Sequence, residues 1–504
     1  MTISPARIAL PLLSLAIALT LPQARPAQAR DLAVPPEVVA EQERIRRHED
    51  AGEAIGAIIA AALDVEAQAA KLAASGRPLA GRTVLVKDNV ETREWPTTAG
   101  SLALVANDTR RDAPLIARLR AAGGVVSGKT NLSEWANIRS TRSTSGWSAV
   151  SGLTRNPHAP TRNSCGSSSG SGAAVAAGFA WAAIGTETDG SITCPASVNG
   201  VVGLKPTVGL VSRTHVVPIS SSQDTAGPMA RSVRDAALLL SAIAGSDPLD
   251  PATRDADAHR GDFTAGLDDA SLQGVRIGVL RKAVGSRKDV AALFDAALAD
   301  MRRAGAELVE IDWQPDPAMG EAEYAVLLYE LRETIDAYLS ASPAAIPVRS
   351  LAEVIDFNAA NADREMTWFG QEIFEQAVTK TDREAYLKAR ADSLRMARTE
   401  GLDKLLADNR VVALVAPTAG PAWTSDLVNG DNYASDIGMG SIAAIAGAPH
   451  LSVPMGAVHD LPIGLSFMGP AWSDHRMLKL GAAYERARTP PLPVPPMLAA
   501  AKSD

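Results

Sequence analysis

Apolar positions along this chain fall into three kinds of run. The first is short, nearly continuous and rich in β-branched residues. It occurs in RTVLVKDNV (82–90), VVSGKTN (125–131), VRIGVL (275–280), AELVEID (306–312), VVALVAPT (411–418) and LPIGLSFMG (461–469). Such runs suit strands buried on both faces. The second kind has helical spacing: APLIARLRAAGG (113–124), which ends on a glycine stop, and DVAALFDAALADMRRAG (289–305). Strand, helix and strand then follow one another twice, over 82–131 and 275–312, and predict two βαβ units. Right-handed crossovers put such strands side by side in a mostly parallel sheet covered by helices on both faces, an α/β architecture. AAVAAGFAWAAIGTE (173–187) reads as a buried helix and the strand after it. Residues 30–75 read as helices outside the core, and the more charged stretch 315–408 as a helical insertion or cap.

The third kind of run is unlike the others. IALPLLSLAIALTL (8–21) carries no charge, follows Arg7 and precedes Ala27-Gln28-Ala29. This is the pattern of a secretory signal peptide over 1–29, with cleavage after Ala29. The run is short for a membrane-spanning helix. No later run is long and apolar enough for stable membrane insertion, so a soluble periplasmic or secreted protein is expected. Composition changes this picture little. The 504 residues are 46% hydrophobic and 21% charged, as in ordinary globular chains. That length admits two to four domains or one large α/β domain. A net charge of −8 argues against nucleic acid as a partner.

Candidate chemistry centres on SCGSSSGSGAAVAAG (164–178). The apolar helix that follows is wrong for a flexible linker. A phosphate loop needs a Gly-Lys-Ser/Thr, yet no lysine lies between Lys129 and Lys205. GxGxxG spacing is absent. Gly166-Ser167-Ser168-Ser169-Gly170 formally matches a GxSxG nucleophile elbow with Ser168 as nucleophile, which would need an acid and one of His215, His450 or His459. A second small-residue loop, TETDGSITCPASVNG (186–200), follows directly. The two cysteines, Cys165 and Cys194, sit one in each loop. Two buried thiols are the default reading; a disulfide is the alternative, open to an exported protein. No His/Cys/Asp/Glu cluster has metal-ligand spacing.

Taken together, VKDNV (86–90), KTNLSEWAN (129–137), CGSSSGSGAAVAAG (165–178), TETDGS (186–191), GLKPTVGLVSR (203–213), DTAGPMARSV (224–233) and AGAPHLSVPMG (446–456) resemble the amidase signature family. NLSEWAN, TETDGSI and QDTAGPMARS are most similar to its bacterial peptide amidases. The resemblance implies one mixed sheet between two helical layers over residues 30–504. It also implies a Ser-Ser-Lys triad. The nucleophile falls on Ser191, the bridging serine that follows a cis peptide on Ser167, and the base on Lys87. Ser167 lies 24 residues before Ser191, the family's usual gap.

The residue types fit the chemistry. An amide is a poor electrophile with a poor leaving group, so the attacking hydroxyl must lose a proton and the nitrogen must gain one. Lysine serves as base only when burial keeps it neutral, and a bridging hydroxyl can pass the proton both ways. By the same resemblance, backbone N–H groups of Thr188, Asp189, Gly190 and Ser191 form the oxyanion hole. Asp189 replaces a frequent glycine and Thr193 a frequent arginine, so substrate class is less determined than the triad. Asp189 is expected to turn from the oxyanion toward substrate N–H groups or a structural partner. Trp135 and Asn137 are candidates for the substrate pocket, Asp224 for a turn, Ser168 for backbone support and Glu187 for a buried structural carboxylate. The expected protein is a monomeric, cofactor-free exported amidase acting on C-terminal amides of short peptides. Alternatives are a small-amide or aryl-acylamide hydrolase, an elbow esterase, or a catalytically dead binding protein. A tRNA-dependent amidotransferase component is disfavoured for an exported chain.

Overall fold

The computed structural model describes residues 1–2, 33–49 and 55–499, so the signal-like run at 8–21 lies outside the described residues. From Val34 onward the chain gathers round an eleven-stranded sheet. In chain order its strands are β1 (Ile58–Ala61), β2 (Thr83–Lys87), β3 (Val125–Thr130), β4 (Ala182–Glu187), β5 (Val202–Lys205) and β6 (Thr225–Ala230). β7 (Arg276–Leu280), β8 (Glu307–Ile311), β9 (Leu414–Pro417), β10 (His450–Val458) and β11 (Leu461–Met468) complete it. Across the sheet the order is β1-β3-β2-β4-β6-β5-β10-β11-β9-β7-β8.

Both predicted βαβ units are present. β2 pairs in parallel with β3, and β7 with β8, with the helices Pro114–Ala121 and Lys288–Arg303 as crossovers. The sheet as a whole is nonetheless mixed with antiparallel pairings in the majority, which corrects the mostly parallel expectation. β1–β3, β4–β6, β6–β5, β5–β10, β10–β11 and β11–β9 are all antiparallel. The reason is local. β10 and β11 form a hairpin on the two-residue turn His459-Asp460, with φ of 50° and 61°, the positive-φ pair a tight hairpin demands. β6 enters between β4 and β5 against both. Its sequence, TAGPMA, carries a glycine and a proline that disguise a central strand. Gly227 is required there, because a Cβ would lie 2.1 Å from the Leu204 carbonyl oxygen.

Residues 30–75 also differ from the all-helical expectation. Between the helices Pro36–His48 and Val65–Ala73, the Ile-Ile run forms edge strand β1 against β3. Over 315–408, the helices Pro317–Ala341, Leu351–Ala360, Glu372–Ala377, Arg383–Leu394 and Asp403–Asn409 carry the chain. Their apolar side chains, Leu331, Ile335 and Phe374 among them, pack on Ala99, Leu104 and Trp135 beside the sheet.

Side-chain alternation along each strand divides the core into layers. Val84, Val86 and Ile184 face one side with Leu119, Leu240 and Phe294 from its helices. Leu85, Ala183 and Met229 face the other, against the helix Ser169–Ala176. Lys87 shares the parity of Leu85 and so points toward that helix. Among the described residues, no helix is long and apolar enough to cross a membrane.

Candidate active site

Lys87 is the last residue of β2 and is fully buried. Its Nζ lies 2.7 Å from Ser167 Oγ, 2.8 Å from Thr186 Oγ1 and 3.2 Å from the Thr186 carbonyl oxygen. Parallel pairing of β2 with β4 brings the lysine to the strand end that carries Thr186. Asn89 Nδ2 donates to the same threonine hydroxyl at 2.9 Å. Loss of water around the ammonium pulls the Lys87 pKa down from 10.5 to about 7, against the opposing pull of Glu187 and Asp224. When neutral, the amine can give two N–H bonds to Thr186 and keep its lone pair for the Ser167 proton.

Most hydroxyls of the serine run are occupied by backbone. Ser168 Oγ donates to the Thr186 carbonyl at 3.1 Å and accepts from the Thr186 N–H at 3.2 Å. Ser169 and Ser171 donate to the carbonyls of Cys165 and Ile184. These bonds hold the helix start against β4. The glycines let the backbones close up: a Cβ on Gly166 would lie 2.1 Å from Ser133 Oγ. Ser167 differs from its neighbours, for its hydroxyl meets the lysine. The Gly166–Ser167 peptide bond is cis.

The loop after β4 carries Ser191. Glu187 Oε2 accepts from the N–H groups of Ile192 and Thr193 at 2.7 and 2.9 Å and so fixes the turn beyond the serine. Gly190 adopts a φ of 79°, a left-handed conformation that costs a glycine little. The Ser191 carbonyl accepts from Ser168 N–H at 3.0 Å, which ties the two serine loops together. Cys165 and Cys194 tie them a second time, as a disulfide with Cα atoms 6.0 Å apart. The default reading of two free thiols is therefore corrected: the sheet order brings together loops whose cysteines are 29 residues apart. Among the described residues, Ser191 Oγ and the N–H groups of Asp189, Gly190 and Ser191 make no hydrogen bond to protein. Unpaired backbone donors at a partly enclosed turn are available to an incoming oxygen.

A cleft of about 450 Å³ opens on these loops, lined by Gly166, Asp189, Gly190, Trp423, Tyr433 and His450 among others. Asn137 lines it too. Trp135 does not fit the pocket expectation. It is 2% exposed and meets Phe374 edge-on, ring centroids 5.7 Å apart, in the core beneath the helices of 315–408. Thr188 Oγ1 donates to Asp224 Oδ1 at 2.6 Å, and Asp224 Oδ2 takes the N–H groups of Ile219 and Ser220, the turn expected of it. The Asp189 carboxyl lies beside Ser441, and burial raises its pKa to about 6. None of the histidines considered for an elbow bonds Ser168. His215 lines a second cavity together with Asn89, Thr186 and Thr188, His459 is exposed on the hairpin, and His450 is held by Ser466. Thr186, near the end of β4, and Asn89, just beyond β2, surround the lysine, and nothing in the sequence sets them apart from their neighbours. Among the described residues, no group of three or more His, Cys, Asp or Glu could hold a metal.

The chain is similar to known proteins over most of its length. The amidase family model matches residues 40–478. A probable amidase of Arabidopsis thaliana is 38% identical over 426 residues, covering 82% of this chain and 78% of that protein. The A component of the glutamyl-tRNA(Gln) amidotransferase of Halobacterium salinarum is 36% identical over 427 residues, covering 82% and 97%. Among solved structures, native peptide amidase from Stenotrophomonas maltophilia superposes with a TM-score of 0.84 at 46% identity, over 91% of this chain and 94% of that one. A peptide amidase bound to the competitive inhibitor chymostatin gives 0.85 at 47% identity, over 90% and 95%.

Proposed function

The chain belongs to the amidase family and is a hydrolase of carbon–nitrogen bonds, and from that premise we propose that it removes ammonia from the C-terminal amides of peptides, with Ser191 as nucleophile, Ser167 as relay and Lys87 as base. The observation that carries the substrate is the likeness to peptide amidase at 47% identity over nine-tenths of each chain. Support for the residue roles comes from the bond between a fully buried lysine and Ser167 Oγ at 2.7 Å.

In this reading Ser191 Oγ attacks the carboxamide carbon as its proton passes to Ser167, while the Ser167 proton passes to Lys87. Negative charge gathers on the former carbonyl oxygen, beside the N–H groups of Asp189, Gly190 and Ser191. One such donor is worth about 3 kcal/mol in the transition state. Collapse of the tetrahedral species needs a proton on nitrogen. Lys87 returns it through Ser167, ammonia leaves, and an acyl-enzyme ester remains on Ser191. Water repeats the sequence to release the carboxylate.

Incubation with a panel of peptide amides is expected to release one ammonia per turnover and convert each terminal carboxamide to a carboxylate by mass spectrometry. Cleavage of internal peptide bonds with the terminal amide intact would overturn the reading. Export is part of the proposal, supported by the pattern of residues 1–29 and by a disulfide of the kind oxidising compartments sustain. N-terminal sequencing of periplasmic protein should therefore begin at Arg30. Intact Met1 in the soluble cytoplasmic fraction would remove the export claim.

A further inference from the structure

One wall of the cleft carries a histidine that the hydrolytic steps do not use. His450 opens β10 directly opposite Lys205 of β5 and is 1% exposed, yet its ring edge reaches the cleft. Ser466 Oγ donates to Thr418 Oγ1 at 3.0 Å. A hydroxyl that has spent its proton must accept, so the 2.6 Å contact between His450 Nε2 and Ser466 Oγ is an Nε2–H donating. The ring nitrogen left over, Nδ1, is a bare acceptor, and it is buried without a hydrogen-bond partner. Burial and the neighbouring Lys205 hold the imidazole neutral, with a pKa lowered to about 3. Gly440 packs against this edge of the ring, where a Cβ would lie 3.0 Å from Cε1 and 3.3 Å from Nδ1. Asp189 and Ser441 line the same cleft, and among the described residues no lysine or arginine lines it.

We propose that His450 is a specificity-determining residue whose Nδ1 accepts a hydrogen bond from an N–H in the acyl part of the substrate. A buried acceptor with no protein partner is costly unless a ligand satisfies it. Gly440, packed on the ring, precedes Ser441, which neighbours Asp189, two residues before Ser191, and along this path the proposal sets the acceptor toward the acyl part of the substrate. The class selected is then the peptidyl or N-acylaminoacyl amide, which carries an N–H one carbon from that carbonyl. Plain aliphatic and aryl amides, which lack it, are disfavoured. This inference rests on the proposed peptide-amide hydrolysis.

The test uses a matched pair, N-acetylphenylalaninamide and its ester isostere with oxygen in place of that N–H. Wild-type enzyme is expected to favour the amide by roughly 10- to 100-fold in kcat/KM, the range for one buried hydrogen bond left unmade. His450→Leu is expected to bring that ratio close to one, while His450→Asn, which returns an acceptor near Nδ1, retains part of it. Gly440→Ala reaches the same point without touching the histidine and should also collapse the ratio. Gly440 has a φ of −65°, which alanine adopts freely. Thermal melting and titration with a serine-reactive phosphonate check that each variant is folded. A wild-type ratio near one overturns the proposal whether or not a variant folds, as does a full ratio in folded Gly440→Ala or His450→Leu. Failure of wild type to hydrolyse any peptidyl amide is a separate result, and it strikes the proposed function itself.

Discussion

Ser191→Ala is expected to lower kcat on peptide amides by at least about ten thousand-fold and to abolish covalent trapping by a phosphonate, since the hydroxyls of Ser167 and Ser168 beside it are already engaged. Ser167 Oγ is held by the lysine. Ser168 Oγ is bonded twice to the Thr186 backbone. Ser168→Ala should accordingly cost less than about tenfold, as the loss of one supporting hydroxyl would. Ser167→Ala should be severely impaired but keep a trace, because water can stand where the relay stood. Mapping the labelled peptide decides between the serines. A label on Ser168 with Ser191 unmodified would sink the assignment.

Lys87→Ala is expected to lose at least about a thousand-fold, since the proton from Ser167 then has no acceptor. The same residue sets the pH profile. Its folded pKa is lowered from 10.5 to about 7 through loss of hydration. The neutral amine is the working form, so kcat/KM should be level above that value and fall about tenfold per pH unit below it. Lys87→Arg, a cation at every accessible pH, should be as inactive as alanine. A profile whose acid limb survives in a Lys87 variant with residual activity would show that another group titrates.

Much of this architecture is legible because burial on both faces leaves an unmistakable mark. The stretches 82–90, 125–131, 275–280 and 461–469 each carry a short aliphatic cluster, and each contains a strand of the sheet. Strand direction leaves no such mark. β6 reads TAGPMA, in which Gly227 answers the approach of the Leu204 carbonyl, a contact invisible until β5 and β6 are paired. The hairpin at His459-Asp460 lacks the asparagine-glycine pair that announces such turns. The edge strand at Ile58–Ala61 sits among alanines that suit a helix equally well. At the site, motif resemblance points to Lys87, Ser167 and Ser191, and their loops do converge. Spacing alone does not decide the disulfide, because it depends on the two loops meeting. Trp135 misleads for a related reason. The helices that bury it come some two hundred residues later in the chain.

The Cys165–Cys194 bridge has one more consequence, which concerns the chain when it is not folded. Ser167 and Ser191 both lie inside the covalent ring it closes, and Lys87 lies outside. Through the bridge, Ser167 is two residues from Cys165 and Ser191 three from Cys194, so with 6.0 Å between the cysteine Cα atoms the serines stay within roughly 24 Å in any conformation. Without the bridge, a separation of 24 residues could stretch to about 80 Å. An oxidised chain that loses its sheet therefore keeps its two hydroxyls tethered and gives up the amine first. A protease that nicks the ring once, between the two serines, would leave both on a single covalent molecule until a reductant is added.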